Sequence, residues 1–408
     1  MIDGIKDWLR QIGAARAMNS WWKGRRTREQ YIDLCAHYGS ACVFDETGLW
    51  PMSISEGAND VDEYTWRPTV LYVGADWDQD SAGLLQGLRQ VADVFLFEGK
   101  PGRYGQLSSR EHKDILSLRR RNGAALTTQF DRLSIARKVD LVIGQMWAFT
   151  MEPSALAAIR RRGARVVNIA MDDRHAFRGW TLENGEHAGT CGLAGVLDLA
   201  CTAAPECVTW YEKEGCRAMF LPEGSDPSLF RPLETNKEIE VVFVGANYGI
   251  RQEMVTSLRR IGIAVEAFGT GWPNGRLSTD DMPRIFSSSK IVLGCGTVGH
   301  CKDFYALKLR DFDGPMSGSL YITHDNPDLR GLYDIGREIV TFNSTSEMVD
   351  KVVYYISHDA EREEIAAAGR TRAANAHTWA QRFRYLLAKV SYASRGDSNN
   401  EGSGIAKS

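Results

Sequence analysis

A chain of 408 residues with a formal net charge of −3 is too long for one ordinary core and suits two α/β domains. Hydrophobic residues make up 43% and charged residues 25%, a globular profile, and the near-neutral total supplies no overall field toward nucleic acid or anionic lipid. The cysteines, Cys35, Cys42, Cys191, Cys201, Cys207, Cys216, Cys295 and Cys301, form no CxxC pair, which argues against a structural zinc site and for reduced thiols of a cytoplasmic protein. There is no apolar run of 18 residues, so a membrane-spanning segment is not expected.

In chain order, residues 1–66 read as a helical extension. Met1–Arg28 carries Lys6, Arg10, Arg16, Lys23, Arg25, Arg26 and Arg28 against Asp3 and Asp7, a local charge of +5, with Trp21-Trp22 abutting the basic run. Two readings stand side by side: a helix docked peripherally on an anionic membrane, or a helix packed on the protein's own surface. Residues 67–233 alternate short apolar runs with helices. The strands are expected at Thr69–Val73, Val94–Phe97, Val139–Ile143, Arg165–Ala170, Leu197–Thr202 and Arg217–Leu221, with a polar, Arg-rich stretch after the second. Residues 234–376 repeat the rhythm, with strands at Glu240–Val244, Ala264–Phe268, Ile291–Leu293, Leu320–Thr323 and Glu338–Thr341. Such alternation implies parallel strands, since each crossover needs a helix. Ser344–Leu387 reads as helices broken near His358 and Gly369. Residues 377–393 form a last helix that crosses back to the first domain, and residues 394–408 form a disordered tail. The fold class is α/β, with two Rossmann-like, doubly wound domains facing a central cleft.

Two strand–glycine turns, Val73-Gly74-Ala75-Asp76 and Val244-Gly245-Ala246-Asn247, sit where the first strand of each domain meets its first helix. A helix N-terminus there offers free N–H groups to an anion, and glycine permits close approach; a tight turn alone would need the same glycine. Arg251 stands at the start of the helix after Gly245, in position for a phosphate. In Lys308–Thr323 (KLRDFDGPMSGSLYIT), Lys308 and Arg310 suit a diphosphate and Asp313 suits ribose hydroxyls, unless the run is an exposed helix face. Asp172 and Asp173 end the strand Arg165–Ala170, where either could take a proton from an acceptor hydroxyl or cap the next segment. His175 is the next candidate base, and His300 and His324 lie in expected loops. Trp77 and Trp272 offer stacking faces.

The Lys308–Thr323 segment, together with GLYDIGREIVT at Gly331–Thr341, YYISHDAEREEIAAAG at Tyr354–Gly369, and His377-Thr378-Trp379 with Arg382, resembles the spore-maturation CgeB-like branch of group-1 GT-B glycosyltransferases. Leu221–Pro227 (LPEGSDP) with Phe230 and Pro232, and Ile169–Asp173 (IAMDD), extend the resemblance over residues 69–387. It implies metal-independent transfer of a sugar from a nucleoside-diphosphate donor, expected to be UDP-linked, to an acceptor hydroxyl on a glycan, protein or small molecule. No other cofactor is implied. The donor site would comprise Gly245, Asn247, Arg251, Lys308, Arg310, Asp313 and Gly318, and the acceptor side Gly74, Asp76 and Trp77. The catalytic candidates are Asp172, Asp173 and His175. Of the Glu-x7-Glu pair of related enzymes, Asp313 matches the second acid, and Tyr305 stands in place of the first. The competing readings are a nucleotide-sugar epimerase of the same fold, an inactive carbohydrate-binding or coat-assembly protein, and a glycosyltransferase acting on modified DNA bases. The total charge gives this last reading no encouragement.

Overall fold

The computed structural model describes residues 2–40, 66–77 and 79–400. Cys42, most of the stretch from residue 41 to 66 and the tail from residue 401 lie outside the described residues. The chain divides into two compact units, Ala41–Phe230 with Arg372–Ser408, and Met1–Ser40 with Arg231–Thr371.

The first unit holds β1 (Thr69–Val73), β2 (Asp93–Leu96), β3 (Leu141–Gly144), β4 (Arg165–Ala170), β5 (Leu199–Thr202) and β6 (Ala218–Phe220). They form one sheet in the order β2-β1-β3-β4-β5-β6, every pairing parallel. The helices that interleave with them are α2 (Leu85–Val91), α3 (Ile115–Ala136), α4 (Pro153–Arg161), the single turn α5 (Asp173–Ala176) and α6 (Cys207–Lys213). In the second unit, β7 (Ile239–Val244), α7 (Arg251–Arg260), β8 (Val265–Phe268), α8 (Asp281–Ser287), β9 (Ser289–Leu293), α9 (Arg310–Met316), β10 (Leu320–His324) and β11 (Val340–Phe342) build the parallel order β11-β10-β9-β7-β8. The inner parts of these strands, Val241–Val244 (VVFV) and Ile291–Leu293 (IVL), are unbroken apolar runs, as expected of a parallel sheet with both faces covered. Val241, Phe243, Ile291, Leu293, Leu320 and Ile322 accordingly form one core with Met254 and Leu258 of α7.

The expected strands appear with shifts of one or two residues at their ends. The Arg-rich stretch Arg110–Arg137, however, contains the 22-residue helix α3. Its inner stripe, Leu118, Asn122, Leu126 and Phe130, recurs every four residues and is buried, and Asp114 caps it by accepting from Ser117 N–H at 3.0 Å. Arg119 is buried there as well, paired with Glu186 at 2.6 Å and Glu152 at 3.2 Å. Charge density hid a helix that its four-residue period would have shown.

At the C-terminal end, α10 (Thr345–Ser357) stops at His358 and α11 (Asp359–Ala376) runs through Gly369 without a break. Gly369 is needed for contact instead: a Cβ there would stand 2.2 Å from the Glu338 carbonyl oxygen. The break falls at His377-Thr378, before α12 (Trp379–Asn400), which is helical beyond residue 394 where the tail was expected to begin. α12 belongs to the first unit. Arg382 is fully buried and donates to the carbonyls of Pro222 at 3.2 Å and Ala376 at 2.9 Å, and shares a 2.9 Å bond with His377 Nδ1. Trp379 lies against Gly83 and Gly87, where any Cβ would meet its atoms at 3.2 and 2.4 Å. The histidine, tryptophan and arginine of this motif therefore pin the last helix to the Pro222 loop and to the helical segment around Gly83 and Gly87.

The extension α1 (Ile2–Tyr38) belongs to the second unit. Ser20 is bonded to His300 Nδ1 at 2.8 Å, Cys301 Sγ donates to the Gly24 carbonyl at 3.2 Å, Arg28 pairs with Asp303, and the Tyr31 ring lies 4.6 Å from that of Phe304. No described helix is long and apolar enough to cross a membrane. The seven described cysteines are all free thiols.

Candidate functional site

In an open parallel sheet, ligands bind beyond the carboxyl ends of the strands. At that edge of the second unit, β7 gives way to Gly245, β9 to Gly294 and Cys295, and β10 ends on Thr323 and His324. Gly245 is the point of convergence. A Cβ added there would lie 3.3 Å from Arg310 Nη1 and 3.4 Å from Arg251 Nη1, so two guanidinium groups from two different helix starts meet over one bare turn. Arg251 is buried at the first position of α7, donates to the Ala246 carbonyl at 3.0 Å and stacks 4.1 Å from the centroid of Tyr248. Arg310 opens α9 and lies over Phe243. The Nε atoms of both arginines are buried and have no hydrogen-bond partner among the described residues. Two like charges held this close, with donors to spare, make a site that an anion would satisfy.

The turn itself is braced from behind. Trp272 Nε1–H donates to the Gly245 carbonyl at 2.7 Å, and its ring packs against Phe243; with 8% of its surface exposed it is a strut, not a stacking wall. Asn247 turns its side chain to the Gly271 carbonyl at 3.2 Å.

Beneath α9 a buried network fixes where Arg310 starts. Asp311 Oδ1 accepts from the Tyr321 hydroxyl at 2.6 Å, and Oδ2 accepts from Lys308 N–H at 2.7 Å. Burial pushes both the Asp311 carboxyl and the Tyr321 phenol above their ordinary ranges, which keeps the phenolic proton on Tyr321 as the donor. Room for the ring comes from two glycines: a Cβ on Gly294 would stand 2.1 Å from the Tyr321 oxygen, and one on Gly314 2.5 Å from its ring. Tyr321→Phe removes a bond to a buried carboxylate, and should lower the unfolding free energy by about 1.5–3 kcal/mol. Urea denaturation checks it, and a loss under about 0.5 kcal/mol, the scale of an incidental surface change, would mean the network does not brace the helix.

Asp313 is buried one helical turn beyond Arg310 and on the same face. Lys308 is half-buried at the mouth of the loop. Gly318 is not part of this cluster. It precedes β10 at the opposite, amino edge of the sheet, with φ of 75° and Pro232 against its α-carbon side, so it serves the turn between α9 and β10. His324, expected in a loop, is the buried last residue of β10, its ring between Phe342 at 4.5 Å and Tyr305 at 5.4 Å. Sequence reading passed over Cys295. Burial alone would raise its thiol, but His324 and the Arg251 guanidinium beside it outweigh burial and hold it at about 6. Its only sequence signal was its place after the glycine that ends an apolar strand.

In the first unit the equivalent turn is built differently. A Cβ on Gly74 would overlap Tyr72 Cε1 at 2.2 Å and Asp80 Oδ2 at 2.6 Å, and that Asp80 oxygen accepts from Ala75 N–H at 2.7 Å. The place where an anion would sit is thus already filled by the chain's own carboxylate. The helix beyond begins as an irregular π-turn, Asp80–Leu84, kinked at Gly83 with φ of 128°. The symmetry expected between the two glycine turns does not hold. Asp76 and Trp77 are exposed at this edge.

The paired aspartates also separate. Asp173 is 1% exposed, and its Oδ1 accepts from Thr190 at 2.5 Å and Tyr211 at 3.2 Å. Burial raises this carboxyl to about 6, against hydrogen bonds that lower it. Asp173 therefore points into the core behind β4 and cannot reach an acceptor. Its neighbour Arg174 is likewise buried, in a two-bond pair with Glu206 at 2.6 and 2.8 Å. Asp172 and His175 remain partly exposed.

Residues 251–388 match the family described as glycosyl transferase-like; the match covers about a third of the chain and includes α7, Arg310, Asp313 and the start of α12 with Trp379 and Arg382. No curated protein matches. Among solved structures, sucrose-phosphate synthase from Thermosynechococcus elongatus is similar with a TM-score of 0.57 at 9% identity, covering 81% of this chain and 100% of that one. HepE from Anabaena, solved in complex with UDP-glucose, has a TM-score of 0.52 at 11% identity, covering 79% of this chain and 99% of that one. Identities this low speak for the fold alone. The chain has the GT-B architecture of two Rossmann-like domains, and its residues 251–388 match the glycosyl transferase-like family.

Proposed function

We propose that this protein transfers a sugar from a nucleoside-diphosphate donor, UDP-linked as in the complex of HepE, to an acceptor hydroxyl. The observation that carries the reading is the meeting of Arg251 and Arg310 over the bare Gly245 turn. In the proposed reaction the acceptor oxygen attacks the anomeric carbon, the bond from that carbon to the diphosphate oxygen breaks, and the departing diphosphate gains negative charge. Two guanidinium groups, Arg251 buried and Arg310 half-buried, aimed at that charge stabilise it more in the transition state than in the ground state. They supply the positive charge without a metal. Asp313, one turn along, takes the ribose hydroxyls. On the acceptor side Asp172 is the base, with His175 the alternative and Asp76 and Trp77 beside the approach; the acceptor's proton leaves through one of these two groups.

Thermal unfolding in a panel of nucleotides tests the reading, because a ligand that binds only the folded state stabilises it. UDP and UDP-sugars are expected to raise the Tm and uridine to do so less. No shift with any nucleoside diphosphate would overturn the proposal.

A further inference from the structure

α1 contacts the rest of the second unit through Ser20, Gly24 and Tyr31 on one face, where Leu34 and Tyr38 are also buried. The opposite face is left with large apolar side chains in solvent: Met18 at 61%, Trp21 at 55%, Trp22 at 56% and Ile32 at 55% exposed. Two exposed adjacent indoles are unusual on a protein surface, since each brings one of the largest apolar areas among side chains. They stand edge to face at 4.9 Å, and the Arg25 guanidinium lies over both rings, at 5.4 and 5.8 Å. Lys23, Arg25, Arg26 and Arg28 are exposed around them, and Glu29 is the one acid between residues 18 and 30.

We infer that this face of α1 docks on a membrane surface rich in anionic lipid. Indoles settle at the headgroup level, with the ring among acyl-chain ends and the N–H in water. Arginine and lysine flank them at the depth of the lipid phosphates, and their long stems lie along the same apolar surface. Met18 and Ile32 favour a bilayer over nucleic acid, because their aliphatic chains gain from hydrocarbon and gain nothing from phosphates or base edges. The helix would lie in the interface plane. Its seating on the 296–306 segment makes this contact compatible with an intact second unit, so packing and docking are properties of two faces of one helix.

Sedimentation of the full-length protein with vesicles tests this without reference to any enzymatic activity. The protein is expected to pellet with phosphatidylcholine vesicles containing phosphatidylglycerol, and to be released as salt screens the attraction. Pure phosphatidylcholine vesicles should retain it at least tenfold less. Trp21→Ala with Trp22→Ala should lower partitioning at least tenfold with the Tm unchanged, since both side chains are exposed. Arg25→Glu with Arg26→Glu should abolish the preference for anionic lipid. Wild-type protein that stays in the supernatant, or a double-tryptophan variant that pellets like wild type, overturns the inference. So does retention of the full-length protein on a single-stranded oligonucleotide in preference to the anionic vesicles.

Discussion

Arg310→Ala is expected to weaken UDP by roughly 30-fold to several-thousand-fold in Kd while leaving uridine within about threefold. The range is the cost of losing one partner of a desolvated charge pair, about 2–5 kcal/mol, converted at 1.4 kcal/mol per tenfold. An exposed ion pair contributes under about 1 kcal/mol, so the two cases do not overlap. Arg251→Ala should behave the same way, because both guanidinium groups approach the same bare turn at Gly245. Lys308→Ala should cost less, since the two arginines are the charged groups nearest the Gly245 turn. Asp313→Ala should weaken UDP and uridine alike, as both carry the ribose. Calorimetric titration of the two ligands against the four variants separates these roles. Equal losses for UDP and uridine in Arg310→Ala, or losses confined to the exposed-pair range, would show that the arginine pair does not hold the diphosphate.

That pairing shows how far the sequence could be read. The strands were legible because apolar runs punctuated by glycine have few other solutions, and Arg251 was placed at a helix start by the same logic, whereas Arg310 was read only as a charge within the Lys308–Thr323 segment. What the sequence concealed was direction. Asp172 and Asp173 are adjacent letters, yet one stays partly exposed and the other enters the core to meet Thr190 and Tyr211. Gly74 and Gly245 look equivalent, yet Asp80 closes the first turn and two arginines open over the second. Gly318 reads as part of a continuous motif, although the strand after it carries the chain to the far edge of the sheet before the cluster resumes at Thr323. Asp311 and Tyr321 were invisible as a pair because one lies on α9 and the other on β10, and their meeting is decided by the space that Gly294 and Gly314 leave.

The second large effect concerns Asp173, where an acidic candidate for catalysis becomes a prediction about stability. Its folded pKa is raised from 3.8 to about 6 by burial. In acid, below pH 3.8, the carboxyl is protonated in folded and unfolded chains alike and costs nothing. As pH rises from 3.8 to about 6 the unfolded chain releases this proton first, so stability falls across that window and levels off above it. A displacement of about two pH units corresponds to up to about 3 kcal/mol at neutral pH. Asp173→Asn keeps the side chain's shape and one acceptor oxygen for Thr190 and Tyr211 but has no proton to lose. It should therefore match wild type near pH 3.8 and exceed it at pH 7, in urea denaturation at the two values. Turnover should stay within about twofold, while Asp172→Asn should lose roughly 10²–10⁴-fold, the usual contribution of a positioned acid–base group. An Asp173→Asn protein less stable than wild type at pH 7 would mean that the buried carboxylate is needed in its charged form. A large fall in its turnover with stability intact would return Asp173 to the reaction.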